Sequence, residues 1–305
     1  MDFTLNADQA TLATAIDSLA ARFETVPTNY DGFTLFGRDL EQELENGEFF
    51  DIALVPELGP LSAALAVERL SRLPYTAEFA LSMLFRPHLS GEWPRPIAIV
   101  ENGRPGRFVA TAKTILVIDG ENVGITQPSP DEIEPVESIF AYPMGRLKTG
   151  VTITPLPASE AAIVRKWIRV ALAAEASGLL HTAIAMTVEY LTVRHQFGRP
   201  LGTFQALQHR LAECTVLAGG VRWLALRAAW TADDGDAALA ALHAQESATR
   251  VIYDVHQMHG GIGVTLEYPL HLWTYRLKAL ISELGGRGGQ ASAVAQHCFG
   301  SASSY

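Results

Sequence analysis

The chain has 305 residues, of which 48% are hydrophobic and 18% are charged. This length and composition predict a large buried core and leave room for two or three structural units. The formal net charge is −10, and Lys and Arg form no cluster longer than a pair, which argues against nucleic-acid and anionic membrane partners. Two cysteines, without a CxxC motif or a His at ligand spacing, predict neither a disulfide framework nor a metal site.

The N-terminus and the apolar runs bear on location. The first residues, MDFTLNADQ, contain neither a basic segment nor an apolar segment of the kind found in signal peptides. No apolar run in the sequence reaches the roughly 18 residues of a membrane span. The sequence therefore predicts a cytoplasmic protein that does not enter a membrane.

Residues 1–93 predict a small helical domain. Apolar residues recur at helical spacing after a capping residue, which is either Asn6 or Asp8. Further helices are predicted from about Arg38 to Glu45, from Leu61 to Leu73, and as far as about Phe85. No candidate for chemistry stands out in this domain.

Residues 94–157 predict a small β-domain. From Pro94 the sequence alternates β-branched and polar residues between Gly, Pro and Asn. The predicted strands lie in PIAIVEN, GRFVATAKTILVIDG, VGITQ and SIFAYPM.

Residues 158–305 predict a helical bundle. Periodicity runs almost unbroken from a predicted cap at Ser159 to Arg194, and further helices are predicted at about 204–231, 236–259, 269–282 and 289–299. Small residues, among them Gly178 and Gly219, permit close approach between helices and between subunits. The predicted fold class is mainly α: an N-terminal helical domain, a reduced middle β-domain and a C-terminal antiparallel four-helix bundle, with no strand after residue 160.

Two stretches combine groups that suit a dinucleotide. YLTVRHQFGRPLGTFQ (190–205) places Arg194 and Phe197 where a helix ends, and QMHGGIGVTLEYP (257–269) follows a second long helix with Gly260 and Gly261. Arginine donates two hydrogen bonds to phosphate, an aromatic ring stacks on adenine, and glycine lets backbone approach a ligand. Alone, each stretch is more often a helix cap or a turn than a ligand site.

Together the two stretches resemble the C-terminal half of the acyl-CoA dehydrogenases, from Ala161 to about Gln296. The resemblance implies FAD as cofactor, α,β-desaturation of an acyl-CoA substrate, and an electron-transfer flavoprotein or other acceptor. It also implies that FAD lies across a subunit boundary. The residues implied to hold its ADP half are Arg194, Gln196, Phe197, Gln205, Gln257, Gly260 and Gly261.

The sequence departs from the family where the flavin ring and the catalytic base are expected. Val100 stands in place of a flavin-binding threonine, and the usual Gly-Ser-Asp turn after it is absent. Gly285 stands at the commoner position of the glutamate base, and Ile168 at the alternative position. Glu283 lies two residues from the first position, but it is interpreted as an ordinary solvated glutamate. No catalytic residue is therefore assigned.

Three functions remain open. The leading hypothesis is a subunit of a heteromeric acyl-CoA dehydrogenase that gives its ADP half-site to a catalytic partner chain, forming a heterotetramer. Such a subunit resembles those of the heteromeric acyl-CoA dehydrogenases that bacteria use on bulky thioesters such as steroid-derived acyl-CoAs. One alternative is a self-sufficient homo-oligomer that uses Glu283 as base. The other is a scaffold or regulatory subunit without flavin.

Overall fold

The computed structural model describes residues 4–30 and 32–300. Its first part is helical, with α1 (Ala7–Ala20), α2 (Arg38–Asn46), α3 (Gly59–Leu70) and α4 (Ala80–Leu84). Of the two candidate caps, Asn6 caps α1: its side chain accepts a hydrogen bond from the Gln9 N–H, and the Gln9 side chain accepts one from the Asn6 N–H. This reciprocal capping box satisfies two donors that the first helical turn leaves free.

The middle part contains two small sheets. Strands β1 (Ile97–Glu101), β2 (Thr114–Asp119), β3 (Asn122–Thr126) and β6 (Thr154–Pro155) form one sheet in the order β1-β2-β3-β6, and β4 (Ile133–Pro135) pairs with β5 (Gly145–Leu147). Strand β1 is parallel to β2, and the other pairs are antiparallel. The predicted strand in SIFAYPM is wrong, because Ala141 has a φ of 55° and Pro143 has no N–H for a sheet.

The C-terminal part is the helical bundle. Its helices are α5 (Ala158–Val193), α6 (Gln205–Thr231), α7 (Asp234–His259), α8 (His271–Leu280) and α9 (Gly286–Phe299). Helix α5 follows Pro157, so Ser159 lies in its first turn and the predicted cap is wrong. The mainly α fold with a small β-domain is confirmed.

The connection between α5 and α6 corrects another expectation. It contains a minimal hairpin, β7 (His195–Gln196) with β8 (Arg199–Pro200), so the prediction of no strand after residue 160 is wrong at this place. Phe197 and Gly198 form the turn with φ values of 54° and 78°. Positive φ at both central residues is characteristic of a two-residue hairpin with a type I′ turn.

Helix α5 runs through the core and contacts elements from all three parts of the chain. It passes α3 closely at Gly178, where an added Cβ would lie 2.1 Å from the Glu68 carbonyl oxygen. An added Cβ at Gly219 on α6 would meet no atom within 4 Å. The expected role of small residues in close packing therefore holds at Gly178 but not at Gly219 within this chain.

Helix α5 is also long and apolar enough to cross a membrane, by length and composition alone. However, 78% of its most apolar stretch is buried inside the protein. Its apolar character is therefore accounted for by its place in the core of the bundle.

Candidate functional site

The two predicted dinucleotide stretches meet at one end of the bundle. Tyr190, in the last turn of α5, donates a hydrogen bond from its hydroxyl to the His259 carbonyl oxygen at 3.2 Å. The rings of these two residues stack with centroids 4.5 Å apart. His259 ends α7 and immediately precedes Gly260, so this contact brings the β7–β8 hairpin and the Gly260 turn to the same surface.

The residues implied to hold the ADP half of FAD lie open on this surface. Phe197 is 86% exposed, and Gly260 has φ 63° and ψ −143°, a conformation that glycine adopts readily. A Cβ added at Gly260 or Gly261 would meet no atom within 4 Å. Within the described part of the chain, the Arg194 guanidinium has no hydrogen-bond or ion-pair partner, and four other polar or flexible positions are exposed: Gln196, Gln205, Gln257 and Gly261. This surface forms one wall of a site rather than an enclosed pocket.

The two histidines beside the Gly260 turn are structural. His259 is buried, and its Nδ1 donates to the Val255 carbonyl oxygen at 2.7 Å. The His256 Nε2 lies 3.0 Å from the Thr274 hydroxyl. Burial lowers the pKa of His256 to about 4, with a further contribution from Lys278, so the ring is neutral at pH 7. It therefore offers no positive charge to a phosphate.

The positions assigned to the flavin-ring strand and to the base meet at a second place, which we term the reaction cleft. This cleft has a volume of about 630 Å³ and is lined by Glu101 at the end of β1, the following Asn102, Arg165 and Arg169 on α5, and Gly285 before α9. Its volume lies within the range of small-molecule sites, roughly 300–1,000 Å³.

The reaction cleft has no carboxylate at either family base position. Gly285 lines the cleft without a side chain, and Ile168 is fully buried in the core. Val100 is also buried and has no hydroxyl to offer a ring. Other titratable side chains do line the cleft, namely Glu101, Glu121, Asp234 and His297.

Glu283 is engaged in an ion cluster between the β-domain and the bundle. Arg107 Nε donates to Glu283 Oε1 and Arg107 Nη1 donates to Glu175 Oε2, both at 2.6 Å. The Tyr142 hydroxyl donates to Glu175 Oε1 at 2.7 Å. We term these four residues the interdomain ion cluster. The interpretation of Glu283 as an ordinary solvated glutamate is wrong, because its side chain is only 17% exposed and is paired with Arg107.

The charges in the interdomain ion cluster are unequal, with one guanidinium facing two carboxylates. Burial raises the pKa of Glu283, while Arg107 acts in the opposite direction. Burial alone would lower the pKa of Arg107, but Glu175 and Glu283 raise it well above its usual value. Arg107 is 4% exposed, so it stays charged inside the protein because both carboxylates stabilise the cation.

A small cavity borders this cluster. It measures about 100 Å³, is lined by Arg107 and Glu283, and includes Leu284, which also lines the reaction cleft. Arg107 Nη2 and Glu283 Oε2 have no protein partner in the described part of the chain. A cavity of roughly 150 Å³ accepts benzene, so this one is too small for a three-ring flavin.

Sequence reasoning missed three members of the interdomain ion cluster. Arg107 lies in the loop after β1, Tyr142 lies in the segment wrongly predicted as a strand, and Glu175 lies within the long helix α5. Their separation along the chain, from 107 to 283, left no local pattern to detect. Two further glutamates on the long helices lie outside the cluster: Glu246 pairs with Arg287 between α7 and α9 at 2.9 Å, and Glu189 is exposed.

Comparison with known proteins identifies relatives of the bundle. Residues 166–298 match the family model described as acyl-CoA dehydrogenase, C-terminal domain. Acyl-CoA dehydrogenase IpdE2 of Mycobacterium tuberculosis is 40% identical over 105 residues, which is 34% of this chain and 33% of that protein. The match thus spans about a third of the length of that curated relative.

Solved structures match the whole fold. The ChsE4–ChsE5 complex from Mycobacterium tuberculosis has a chain with a TM-score of 0.74 at 21% identity, covering 98% of this chain and 99% of that one. A variant of the Tcur3481–Tcur3483 steroid ACAD has a TM-score of 0.75 at 22% identity, covering 98% and 100%. At these identities the likeness establishes the three-part fold.

Proposed function

We propose that this chain is a subunit of a flavin-dependent acyl-CoA dehydrogenase and that it supplies the ADP half of an FAD site to a catalytic partner chain. The premise is that the chain belongs to the acyl-CoA dehydrogenase family. The observation that carries this proposal is a contrast between two surfaces. The residues for the ADP half are all present, gathered at one end of the bundle and open to solvent. The reaction cleft lacks a carboxylate at both base positions and a hydroxyl at Val100.

In this proposal the exposed surface would receive half of an FAD molecule. The Arg194 guanidinium would pair with the pyrophosphate, and Phe197 would pack against the adenine or ribitol. Gln196, Gln205 and Gln257 would donate to ribose or phosphate, and Gly260 with Gly261 would admit the diphosphate close to the backbone. FAD supplies the acceptor for the hydride that leaves the substrate β-carbon. The residues of this chain bind and orient it.

A partner chain is supported by the outer face of α6. Val216 is 74% exposed and Trp230 is 56% exposed. The two residues are fourteen positions apart, which places them on the same face of a helix with 3.6 residues per turn. Burial of these two exposed apolar side chains by a partner chain would remove them from water. The ChsE4–ChsE5 structure of similar fold is a complex of two chains.

Other parts of the function are included in the proposal. The substrate is an acyl-CoA thioester, and the steroid ACAD of similar fold favours a bulky one. The electron acceptor is an electron-transfer flavoprotein or a comparable carrier, and the assembly is a cytoplasmic heterotetramer. No nucleic-acid or membrane partner is included.

The test is the variant Arg194→Ala in the assembly reconstituted with its partner. We expect a weaker affinity for FAD by about 1.5–3 kcal/mol, because a charge-assisted hydrogen bond to phosphate is lost. FAD content and the unfolding midpoint are measured together, so that loss of flavin is separated from loss of folding.

Arg199→Ala is the matched control. Arg199 lies in the same hairpin, but its guanidinium sits over the Phe204 ring at 4.1 Å rather than reaching toward the open surface. Equal FAD affinity in both variants and the parent would show that Arg194 only caps α5. A chain that never acquires flavin, with or without a partner, would support the scaffold alternative.

The self-sufficient alternative requires a free carboxylate at Glu283. The hydrogen bond from Arg107 and the position of Glu283 outside the reaction cleft speak against it. Full flavin and desaturase activity in the isolated chain would favour this alternative.

A further inference from the structure

The loop that carries Arg107 is held in place by close backbone contacts. The Gly106 N–H donates to the Gly145 carbonyl oxygen at 2.8 Å, and the Gly145 N–H donates back to Gly106 at 3.2 Å. A Cβ at Gly106 would lie 2.0 Å from the Ile99 carbonyl oxygen. Only glycine therefore lets the loop lie this close to β1, and the next residue, Arg107, is directed into the interior.

The turn that carries Glu283 has an unusual backbone. Leu284, Gly285 and Gly286 have φ values of 54°, 76° and 61°. A non-glycine residue keeps a left-handed conformation only where its surroundings enforce it. Gln245 Nε2 donates to the Glu283 carbonyl oxygen at 2.9 Å, and Gln290 Nε2 donates to the Leu284 carbonyl oxygen at 2.8 Å.

This backbone sends neighbouring residues to different sides. Glu283 lines the small cavity with Arg107, Gly285 lines the reaction cleft, and Leu284 between them lines both. The hydrogen bond from Arg107 therefore joins the loop after β1 to the carboxylate of this turn.

We propose that Arg107 is a positioning residue that holds the Glu283 carboxylate in the interdomain ion cluster and away from the reaction cleft. The guanidinium bridges Glu283, on the turn before α9, and Glu175, on α5. This inference rests on the proposed function in one respect, namely that the reaction cleft of this chain is not the catalytic one.

The surroundings of Glu283 make Arg107 its main counter-charge. Glu175 on α5 and, with a smaller effect, Glu101 at the end of β1 both disfavour its ionised form. Tyr142 donates a hydrogen bond to Glu175, and the buried Arg276 on α8 interacts electrostatically with both residues. Arg104 also lines the small cavity. Removing Arg107 would leave two carboxylates facing each other inside the protein.

The first experiment measures the urea unfolding midpoint of three full-length proteins, the parent chain, Arg107→Gln and Arg107→Lys, from pH 5 to pH 8. Because Arg107 lowers the pKa of Glu283, its loss raises that pKa further, and stability then falls as pH rises through it. We expect the midpoint deficit of Arg107→Gln to widen toward pH 8. Arg107→Lys keeps the positive charge, so its midpoint deficit should widen toward pH 8 by no more than half as much.

The second experiment places the pH dependence on Glu283. In a Glu283→Gln background, the pH-dependent part of the Arg107→Gln deficit should shrink by at least half, because one titrating carboxyl is gone. A deficit that is equal at pH 5 and pH 8, or unchanged by Glu283→Gln, would overturn the proposal.

Carbodiimide labelling located by mass spectrometry remains informative if Arg107→Gln does not fold. In the parent chain and in Arg107→Lys, Glu283 should react at least fivefold more slowly than the exposed Glu189 on α5. Labelling of Glu283 as fast as Glu189 would contradict the proposal. None of these measurements requires flavin or a partner, so their failure is distinguishable from failure of the trans half-site.

Discussion

In the proposed function, single residues separate this chain from a catalytic one. A general base must reach the proton that it removes, either directly or through one water. Gly285 lines the reaction cleft without an acceptor, while Glu283 accepts a hydrogen bond from Arg107 on the far side of Leu284. Glu283, the carboxylate nearest in sequence to the base position, is therefore paired with Arg107 instead of facing the cleft.

We therefore expect Glu283→Gln to leave turnover of the reconstituted assembly near normal. The glutamine oxygen can still accept from Arg107, so the turn should keep its shape. Removal of a true general base lowers turnover by about 10² to 10⁴. Desaturation is measured with an artificial electron acceptor, and FAD content serves as the control. A hundredfold loss with flavin still bound would show that Glu283 is the base.

At the scale of elements, the crossing of α3 and α5 depends on one glycine. A Cβ at Gly178 would clash with the Glu68 carbonyl oxygen at 2.1 Å and with the Ser71 side chain at 2.7 Å. These contacts involve helix backbone, which cannot move aside as the end of a flexible side chain can.

Gly178→Ala should therefore destabilise the chain by about 1–3 kcal/mol, the usual cost of overpacking a core. Gly219→Ala is the matched control, because its Cβ would meet no atom within 4 Å. That variant should be neutral or more stable by up to roughly 1 kcal/mol, since alanine favours helix over glycine. Unfolding midpoints of both variants are compared with the parent, and equal effects would mean that the crossing is not tight.

At the scale of the whole molecule, the N-terminal part rests on the bundle through a ring stack. His88 and Trp167 stack with centroids 3.9 Å apart and planes within 4°. Burial, with a smaller contribution from Lys166, lowers the pKa of His88 to about 4. A protonated ring is therefore disfavoured in the folded chain but not in the unfolded one.

This depressed pKa makes the docking sensitive to acid. Its contribution to stability is fully present above pH 6.5 and is lost as pH falls toward 4, because the unfolded chain then binds the proton more readily. His88→Phe keeps the ring stack but does not titrate, so the variant should lose less stability than the parent between pH 6.5 and pH 4. For a shift of this size, the difference between the two losses is at most roughly 3 kcal/mol. Urea unfolding at pH 7 and pH 4.5 checks this. Parallel losses in both proteins would assign the acid sensitivity elsewhere.

The sequence by itself determined the order of the long helices and the place of the β-domain between them, and it predicted which residues would hold the ADP half of FAD. Periodicity along a helix and the change of pattern at Pro94 are local signals, and local propensity agrees with the final fold. The RHQFG and QMHGGIG stretches were visible because each is contiguous. The absence of a carboxylate at Gly285 and Ile168 could also be read directly.

Only the tertiary structure decided what Glu283 does. Its partner, Arg107, is 176 positions away along the chain, and the Glu175 and Tyr142 side chains join it from two further segments. Likewise, a glycine is required at Gly178 because another helix passes there, whereas the identical residue at Gly219 meets nothing. Contacts between distant segments depend on how the elements pack, because neither periodicity nor turn chemistry specifies which side chains the final arrangement brings together.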